Sequence, residues 1–193
     1  ETVRRLDLGV CSYNNYQALD RTLTAINATC QTDWRCFVID NASEEPEVSH
    51  VINKHCGSQS RFIPMWNAVN KGYAGAVNVL LEHAETDRIA YFDNDCQPIM
   101  AGWDEQLAQL LDTYHEIGLV APTSYVHYRI ARPHYDEVLW VVGCAWMIAR
   151  QAAQDICGFL TPRVEYFDST LGHHEEVDAQ TRLRLKGWKI ACH

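Results

Sequence analysis

RIAYFDNDCQP, residues 88–98, is an apolar run that stops at two aspartates with one residue between them. Ile89, Ala90, Tyr91 and Phe92 predict a short buried strand, and Asp93-Asn94-Asp95 the turn at its C-terminal end. In open α/β sheets ligands bind just outside that edge. Two carboxylates placed there suit a hard divalent cation such as Mg²⁺ or Mn²⁺, which takes oxygen ligands and commonly shares them with substrate phosphates. Asp and Asn are also ordinary turn formers, so the motif draws its meaning from the rest of the chain.

Upstream, the pattern is strand, helix, strand. Leu6 to Cys11 predicts a strand that ends in the turn-like SYNN, and Leu19, Leu23 and Ile26 lie at helical spacing behind it. Cys36 to Ile39 is the next apolar run, closed by Asp40-Asn41-Ala42-Ser43. This alternation predicts an α/β fold with a mostly parallel central sheet flanked by helices, in a single Rossmann-like domain covering 1–193. Residues 47–56 predict a second helix and RFIPMW a third strand, weakened by Pro64. In NKGYAGAVN, Gly72 and Gly75 precede a helix whose Ala76, Val77, Leu80, Leu81 and Ala84 form one apolar face. The backbone N–H groups of such a turn can approach a phosphate, although neither a P-loop nor GxGxxG spacing is present.

Downstream, residues 103–114 predict a helix and 117–121 a strand. Residues 123–137 mix Tyr125, Tyr128, Arg129, Arg132 and two histidines without clean periodicity, compatible with a loop or an irregular hairpin and with a role in holding an acceptor. Val138 to Ala149 is strongly apolar and predicts a buried strand running into a helix near Arg150. EEVDAQTRLRLKG predicts the last helix, closed by Gly187, and Lys189 to Cys192 the last strand. Glu175, Glu176 and Asp178 fall in that helix's first turn, where acids favour the macrodipole and where one could also act as a general base. At roughly 3.6 residues per turn, Glu175 and Asp178 share a face and Glu176 points about 100° away.

With 193 residues, 47% hydrophobic and 21% charged, the chain has the composition of an ordinary globular protein. No apolar run reaches the roughly 18 to 20 residues of a membrane span, and a cytoplasmic location is expected. A formal net charge of -9 disfavours nucleic acid as a partner. The eight cysteines form no CxxC pair and read as small hydrophobes in a reducing compartment. Asn27-Ala28-Thr29 and Asn41-Ala42-Ser43 match the glycosylation sequon by letter only.

In order along the chain, GVCSYNN, FVIDNAS, NKGYAGAVN, YFDND, VGCAWMIARQAAQDICGF and HHEEVDAQTRLRLKGWKIACH resemble the motifs of the inverting family 2 glycosyltransferases of GT-A fold. YFDND stands where that family has its DxD motif, and the tail resembles the family's "ED" segment and Arg-rich helix, in rhamnosyltransferase-like form. The resemblance implies a metal-dependent enzyme that moves a sugar from a UDP-, dTDP- or GDP-linked donor to an acceptor hydroxyl, on a glycan first of all, but also on a lipid-linked saccharide, a protein or a modified nucleobase. It implies a donor-binding half over about 1–98 and an acceptor half over about 99–193. Tyr13 and Asn14 would lie against the nucleoside, Asp40 would accept from the base, and Asn70 and Gly72 would line the sugar diphosphate. Asp93 would contact ribose or Mn²⁺/Mg²⁺, Asp95 would bind the metal, and His193 would complete its shell. Glu176 matches the family's base, with Glu175 and Asp178 as substitutes. A sugar nucleotidyltransferase is disfavoured, because SYNN stands where such enzymes carry a Gly-rich basic loop. A non-catalytic nucleotide- or sugar-binding domain is the other alternative, and it gives no reason for the acids in the last helix.

Overall fold

The computed structural model describes residues 5–57, 60–122, 129–157 and 175–193. Strands β1 (Arg5–Ser12), β2 (Asp33–Asp40), β3 (Phe62–Trp66) and β4 (Arg88–Asp93) alternate with helices α1 (Tyr16–Thr29), α2 (Pro46–His55) and α3 (Gly72–His83). They are followed by α4 (Trp103–Thr113), β5 (Ile117–Ala121), β6 (Arg129–Ala131), β7 (Asp136–Val138), β8 (Ala145–Ala149), α5 (Arg150–Ile156), α6 (Glu175–Leu185) and β9 (Lys189–Cys192). All nine described strands join one sheet in the order β3-β2-β1-β4-β8-β5-β9-β7-β6.

The sheet is mixed and largely parallel. β1 pairs in parallel with β2 and β4, β2 with β3, and β5 with β9. β8 runs antiparallel between β4 and β5, and β7 antiparallel to β9 and β6. Pro64 is tolerated because β3 is an edge strand, where a missing N–H leaves no ladder bond unmade. The irregular stretch after β5 contains the β6/β7 hairpin, while residues 123–128, with Tyr125 and Tyr128, lie outside the described residues.

Alternation along each strand divides the core in two. Leu8, Val10, Cys36, Val38, Ala90 and Phe92 pack under α1, α2 and α4. Ile39, Ile89, Tyr91, Leu119, Trp146 and Ile190 pack under α3, α5 and α6. Helix α3 is buried continuously from Ala74 to Leu81, consistent with its apolar sequence. All eight cysteines are free thiols, as expected of small hydrophobes without a disulfide framework; Cys36 and Cys192 are buried and the other six partly so. Among the described residues no helix is long and apolar enough to cross a membrane.

One buried charge ties the sheet's lower edge together. Asp7 is fully buried and accepts from Arg35 Nε at 2.6 Å and from the backbone N–H groups of Glu85 at 2.6 Å and Thr86 at 3.1 Å. Burial by itself would raise its pKa, but the Arg35 and backbone hydrogen bonds together hold it below the ordinary 3.8. Because the folded pKa lies below the unfolded one, this stabilisation is present above about pH 4 and is lost as pH falls through the folded value. Asp7→Asn is therefore expected to cost about 3 kcal/mol at pH 7, since it takes the buried carboxylate away from a largely buried Arg35 and leaves it only the exposed Glu85, 2.9 Å from Nη2, as an ionic partner. That corresponds to roughly 6–12 °C in Tm. Thermal unfolding at pH 7 and pH 3 checks this, and the gap to wild type should narrow at pH 3.

Candidate functional site

The C-terminal ends of four neighbouring strands meet in register. Ser12 pairs with Asp40, Asp40 with Trp66, and Cys11 with Asp93. The loops leaving these ends are fastened to one another by polar side chains, which gives the edge a fixed shape.

The Asp93-Asn94-Asp95 turn is held from three sides. Asp93 N donates to Cys144 O at 2.9 Å, Thr22 Oγ1 of α1 donates to Asn94 O at 2.7 Å, and Asn94 Nδ2 donates to Asn14 O at 3.2 Å. Asp95 is exposed and Asp93 half-buried. The Asp93 carboxyl is pushed up to about 6, first by burial and further by the charges of Asp95 and Glu176, against the opposing hydrogen bond from Tyr91. Negative charge is thus concentrated at the turn. Two carboxylates with open lone pairs fit Mg²⁺ or Mn²⁺, which are usually held by one or two carboxylates with phosphate oxygens completing the shell.

His193 does not join them. Cys192 faces the core under α3, α5 and α6, and the next residue turns to the other face, where His193 lines a cavity of about 300 Å³ with Gln106, Leu110, Tyr114 and His134. Among the described residues no cluster of three or more His, Cys, Asp or Glu side chains suitable for a metal is formed. His193, expected to complete the metal shell, thus follows the end of β9 and lies among these α4 and hairpin residues.

The three acids of α6 are separated by their partners. Asp178 forms a two-pronged ion pair with Arg182, at 2.9 Å to Nε and 2.8 Å to Nη2, and the buried Arg182 also donates to Ile156 O at 2.7 Å. Glu175 is 7% exposed. Glu176 faces the DND turn closely enough for its charge to raise Asp93, and a Cβ added at Gly143 would sit 3.4 Å from its Cβ. The same Cβ would sit 2.9 Å from the Tyr73 hydroxyl, so the bare glycine is what leaves room for Tyr73, with Glu176 at ordinary contact distance beside it. His173 and His174, just upstream, lie outside the described residues.

On the other flank, Tyr13 is 44% exposed at the end of β1. Asp40 accepts from Ser43 N at 3.2 Å through one oxygen. Asn14 is in the left-handed region at φ 56, and its side-chain oxygen accepts from the backbone N–H groups of Glu44 and Glu45 at 2.8 and 3.2 Å. Its side chain thus fastens the loop after β2, which differs from the nucleoside contact expected of it.

Asn70 and Gly72 belong to a network whose hub is Asn41, a residue the sequence reading passed over as a sequon letter. Asn41 is 2% exposed, and its Nδ2 donates to Asn70 Oδ1 at 2.8 Å and Gly72 O at 3.1 Å. Its Oδ1 accepts from Asn67 Nδ2 and Lys71 N, both at 3.0 Å. Gly72 N donates to Asn70 Oδ1 at 2.8 Å with φ +68, a backbone conformation that favours glycine. The sequence signal was the repeated Asn at 41, 67 and 70 around one glycine turn.

Beneath the site lies an aromatic group, also unread in the sequence. Tyr91 stacks on Trp146 with centroids 5.3 Å apart and meets Tyr73 edge-on at 5.4 Å. Trp146 Nε1 donates to Tyr73 OH at 3.1 Å, and Tyr73 OH donates to Gly143 O at 3.0 Å.

The family model described as Glycosyl transferase family 2 matches residues 7–162. No curated protein matches the chain. Among solved structures, S. aureus TarS 1-349 superposes with a TM-score of 0.76 at 14% identity, over 98% of this chain and 58% of TarS. The same protein in complex with UDP-GlcNAc gives 0.76 at 16% identity, over 98% and 56%. A mannosyltransferase from Pyrobaculum calidifontis in complex with GDP-Man and Mn²⁺ gives 0.76 at 15% identity, over 98% and 56%. This chain spans a little over half the length of those structures. The likeness establishes the fold as the GT-A arrangement.

Proposed function

The chain belongs to glycosyl transferase family 2, and from that premise we propose that it transfers a sugar, with inversion, from a nucleoside diphosphate donor to an acceptor hydroxyl. The observation that carries this reading is the meeting of Asp93 and Asp95 with Glu176 across the Gly143 turn, at the edge where Tyr13, Asp40 and the Asn70–Gly72 loop also end. UDP-GlcNAc and GDP-Man in the similar structures support a nucleotide-sugar donor, and Mn²⁺ in one of them supports a divalent cation. Neither donor is a rhamnose, so no sugar is assigned from the tail's rhamnosyltransferase-like form.

In this reading Asp93 and Asp95 would hold Mn²⁺ or Mg²⁺, which would supply Lewis-acid neutralisation of charge on the leaving diphosphate. Tyr13 offers an exposed ring for the base to lie against, and Asp40 has one carboxylate oxygen left to accept from a base N–H. The Asn41 network fixes the Asn70–Gly72 turn beside the sugar diphosphate, so these groups need no reordering when the donor arrives. Glu176 takes the proton from the acceptor hydroxyl as it attacks the anomeric carbon on the face opposite the diphosphate. Placing base and leaving-group site on separate rigid elements, α6 and the end of β4, suits a one-step displacement.

The test is a thermal-shift panel of UDP, dTDP and GDP with and without Mn²⁺. One nucleotide is expected to raise Tm only when Mn²⁺ is present. At a hundred times Kd the gain is about 2.7 kcal/mol, or roughly 5–10 °C for a protein of this size. No response to any of the three with Mn²⁺ would overturn the donor reading.

A further inference from the structure

Tyr91 lies two residues before Asp93 on β4 and therefore faces the same side of the sheet. Its ring is 1% exposed. Its hydroxyl donates to Asp93 Oδ1 at 2.7 Å, within the range of an O–H bond to a carboxylate. The ring cannot swing away, because Trp146 stacks on one side at 5.3 Å and Tyr73 closes in edge-on at 5.4 Å. Tyr73 is itself fixed through its hydroxyl by Trp146 Nε1 and Gly143 O. The donor to Asp93 is thus mounted on three interlocked rings drawn from α3, β4 and β8.

We propose that Tyr91 is a positioning residue, whose hydroxyl locks Asp93 in one rotamer with its second oxygen turned outward to the cation and donor. A carboxylate at the end of a strand otherwise samples several rotamers, and that freedom must be given up on binding. With Oδ1 already engaged, Asp93 presents Oδ2 without that loss. Phenylalanine would keep the ring contacts and give up the hydroxyl's bonds, to Asp93 and to the neighbouring Cys11 thiol. The inference rests on the reading of Asp93 and Asp95 as the donor site.

The experiment is isothermal titration of wild type and Tyr91→Phe with Mn²⁺ plus the nucleotide, UDP, dTDP or GDP, that stabilises wild type. Tyr91→Phe is expected to keep the wild-type circular dichroism spectrum and to bind about ten- to a hundredfold more weakly, the usual loss when a hydrogen bond to a ligating group is removed. Thr86→Val serves as comparator. It removes a hydroxyl that accepts from Asp7 N and donates to Arg88 O at the opposite edge of the sheet, and should lower Tm while leaving the affinity within twofold. Trp146→Phe keeps the Tyr91 hydroxyl but trims the surface its ring stacks on, and should weaken binding several-fold.

Affinity within twofold of wild type in both Tyr91→Phe and Trp146→Phe would overturn the proposal while leaving the donor site standing. Equal weakening in Thr86→Val and Tyr91→Phe would also overturn it, because the effect would then be general loosening. If wild type binds none of the three nucleotides with Mn²⁺, the donor reading falls and the role of Tyr91 falls with it.

Discussion

Glu176→Gln is expected to slow sugar transfer by about 10²- to 10⁴-fold while leaving binding of the Mn²⁺–nucleotide pair unchanged. The amide has the shape of the carboxylate but accepts no proton at neutral pH, so only the step that needs a base is lost. Its two neighbours serve as internal comparators. Asp178→Asn loosens the ion pair with Arg182, whose guanidinium is buried and also holds Ile156 O, so its main effect should be on stability. Glu175→Gln changes a residue that is 7% exposed, and should likewise act on folding more than on rate. Single-turnover hydrolysis of a nucleotide sugar carrying the nucleotide that stabilises wild type measures the rate, and thermal unfolding measures the rest. A Glu176→Gln variant that keeps the wild-type rate would place the base elsewhere. The rank order matters more than any one value: rate loss confined to Glu176, with stability loss at Asp178 and Glu175, is what their surroundings demand.

The parts of the fold that were legible in the sequence are those in which hydrophobic period and turn chemistry agree. β1, β2 and β4 each show an apolar run closed by Asn or Asp; the structure follows β1 and β4 within a residue and extends β2 three residues upstream, while α3 begins at Gly72 rather than after Gly75. Val138 to Ala149 shows where period alone misleads. It was expected as one strand, but β7 ends at Val138 and β8 begins only at Ala145. Between them Val141 is held on both sides by the buried Gln180, which accepts from its N–H at 2.7 Å and donates to its carbonyl at 2.9 Å. A side chain from α6, thirty-nine residues away, takes the place of a strand partner, and no local pattern announces that. The same limit applied to the site. The helical wheel separated Glu176 from Glu175 and Asp178, but the pairing of Asp178 with Arg182 and the nearness of Glu176 to Gly143 are contacts that no wheel displays. Asn41 was passed over for a related reason: its four side-chain hydrogen bonds reach residues 67 to 72, all distant in sequence, so the repeated asparagines gave the only sign of it.

The second large effect is expected at the DND turn, and its two aspartates should behave differently. Asp95→Ala removes an exposed carboxylate that makes no contribution to the core, so Tm without ligand should stay within about 1 °C, as for most surface substitutions. Binding of Mn²⁺ with nucleotide should nevertheless fall more than about a hundredfold, beyond the ten- to hundredfold that outer hydrogen-bond partners command. Asp93→Asn should also weaken binding severely, but with the opposite sign on stability. Asp93 is partly buried and lies near the charges of both Asp95 and Glu176, which together with burial push its carboxyl up to about 6. Ionised Asp93 is therefore a cost to the ligand-free fold at pH 7, and a neutral amide that still accepts from the Tyr91 hydroxyl removes it. A gain of about 1–2 kcal/mol, or a few degrees in Tm, is expected for the ligand-free variant. Such a trade, stability surrendered to concentrate negative charge, is characteristic of sites built to receive a cation. Thermal unfolding with and without Mn²⁺ decides it: the variant should start higher than wild type and respond less. A ligand-free Asp93→Asn less stable than wild type would mean that the carboxylate is needed for the fold itself, and the turn would then have to be understood as a structural joint.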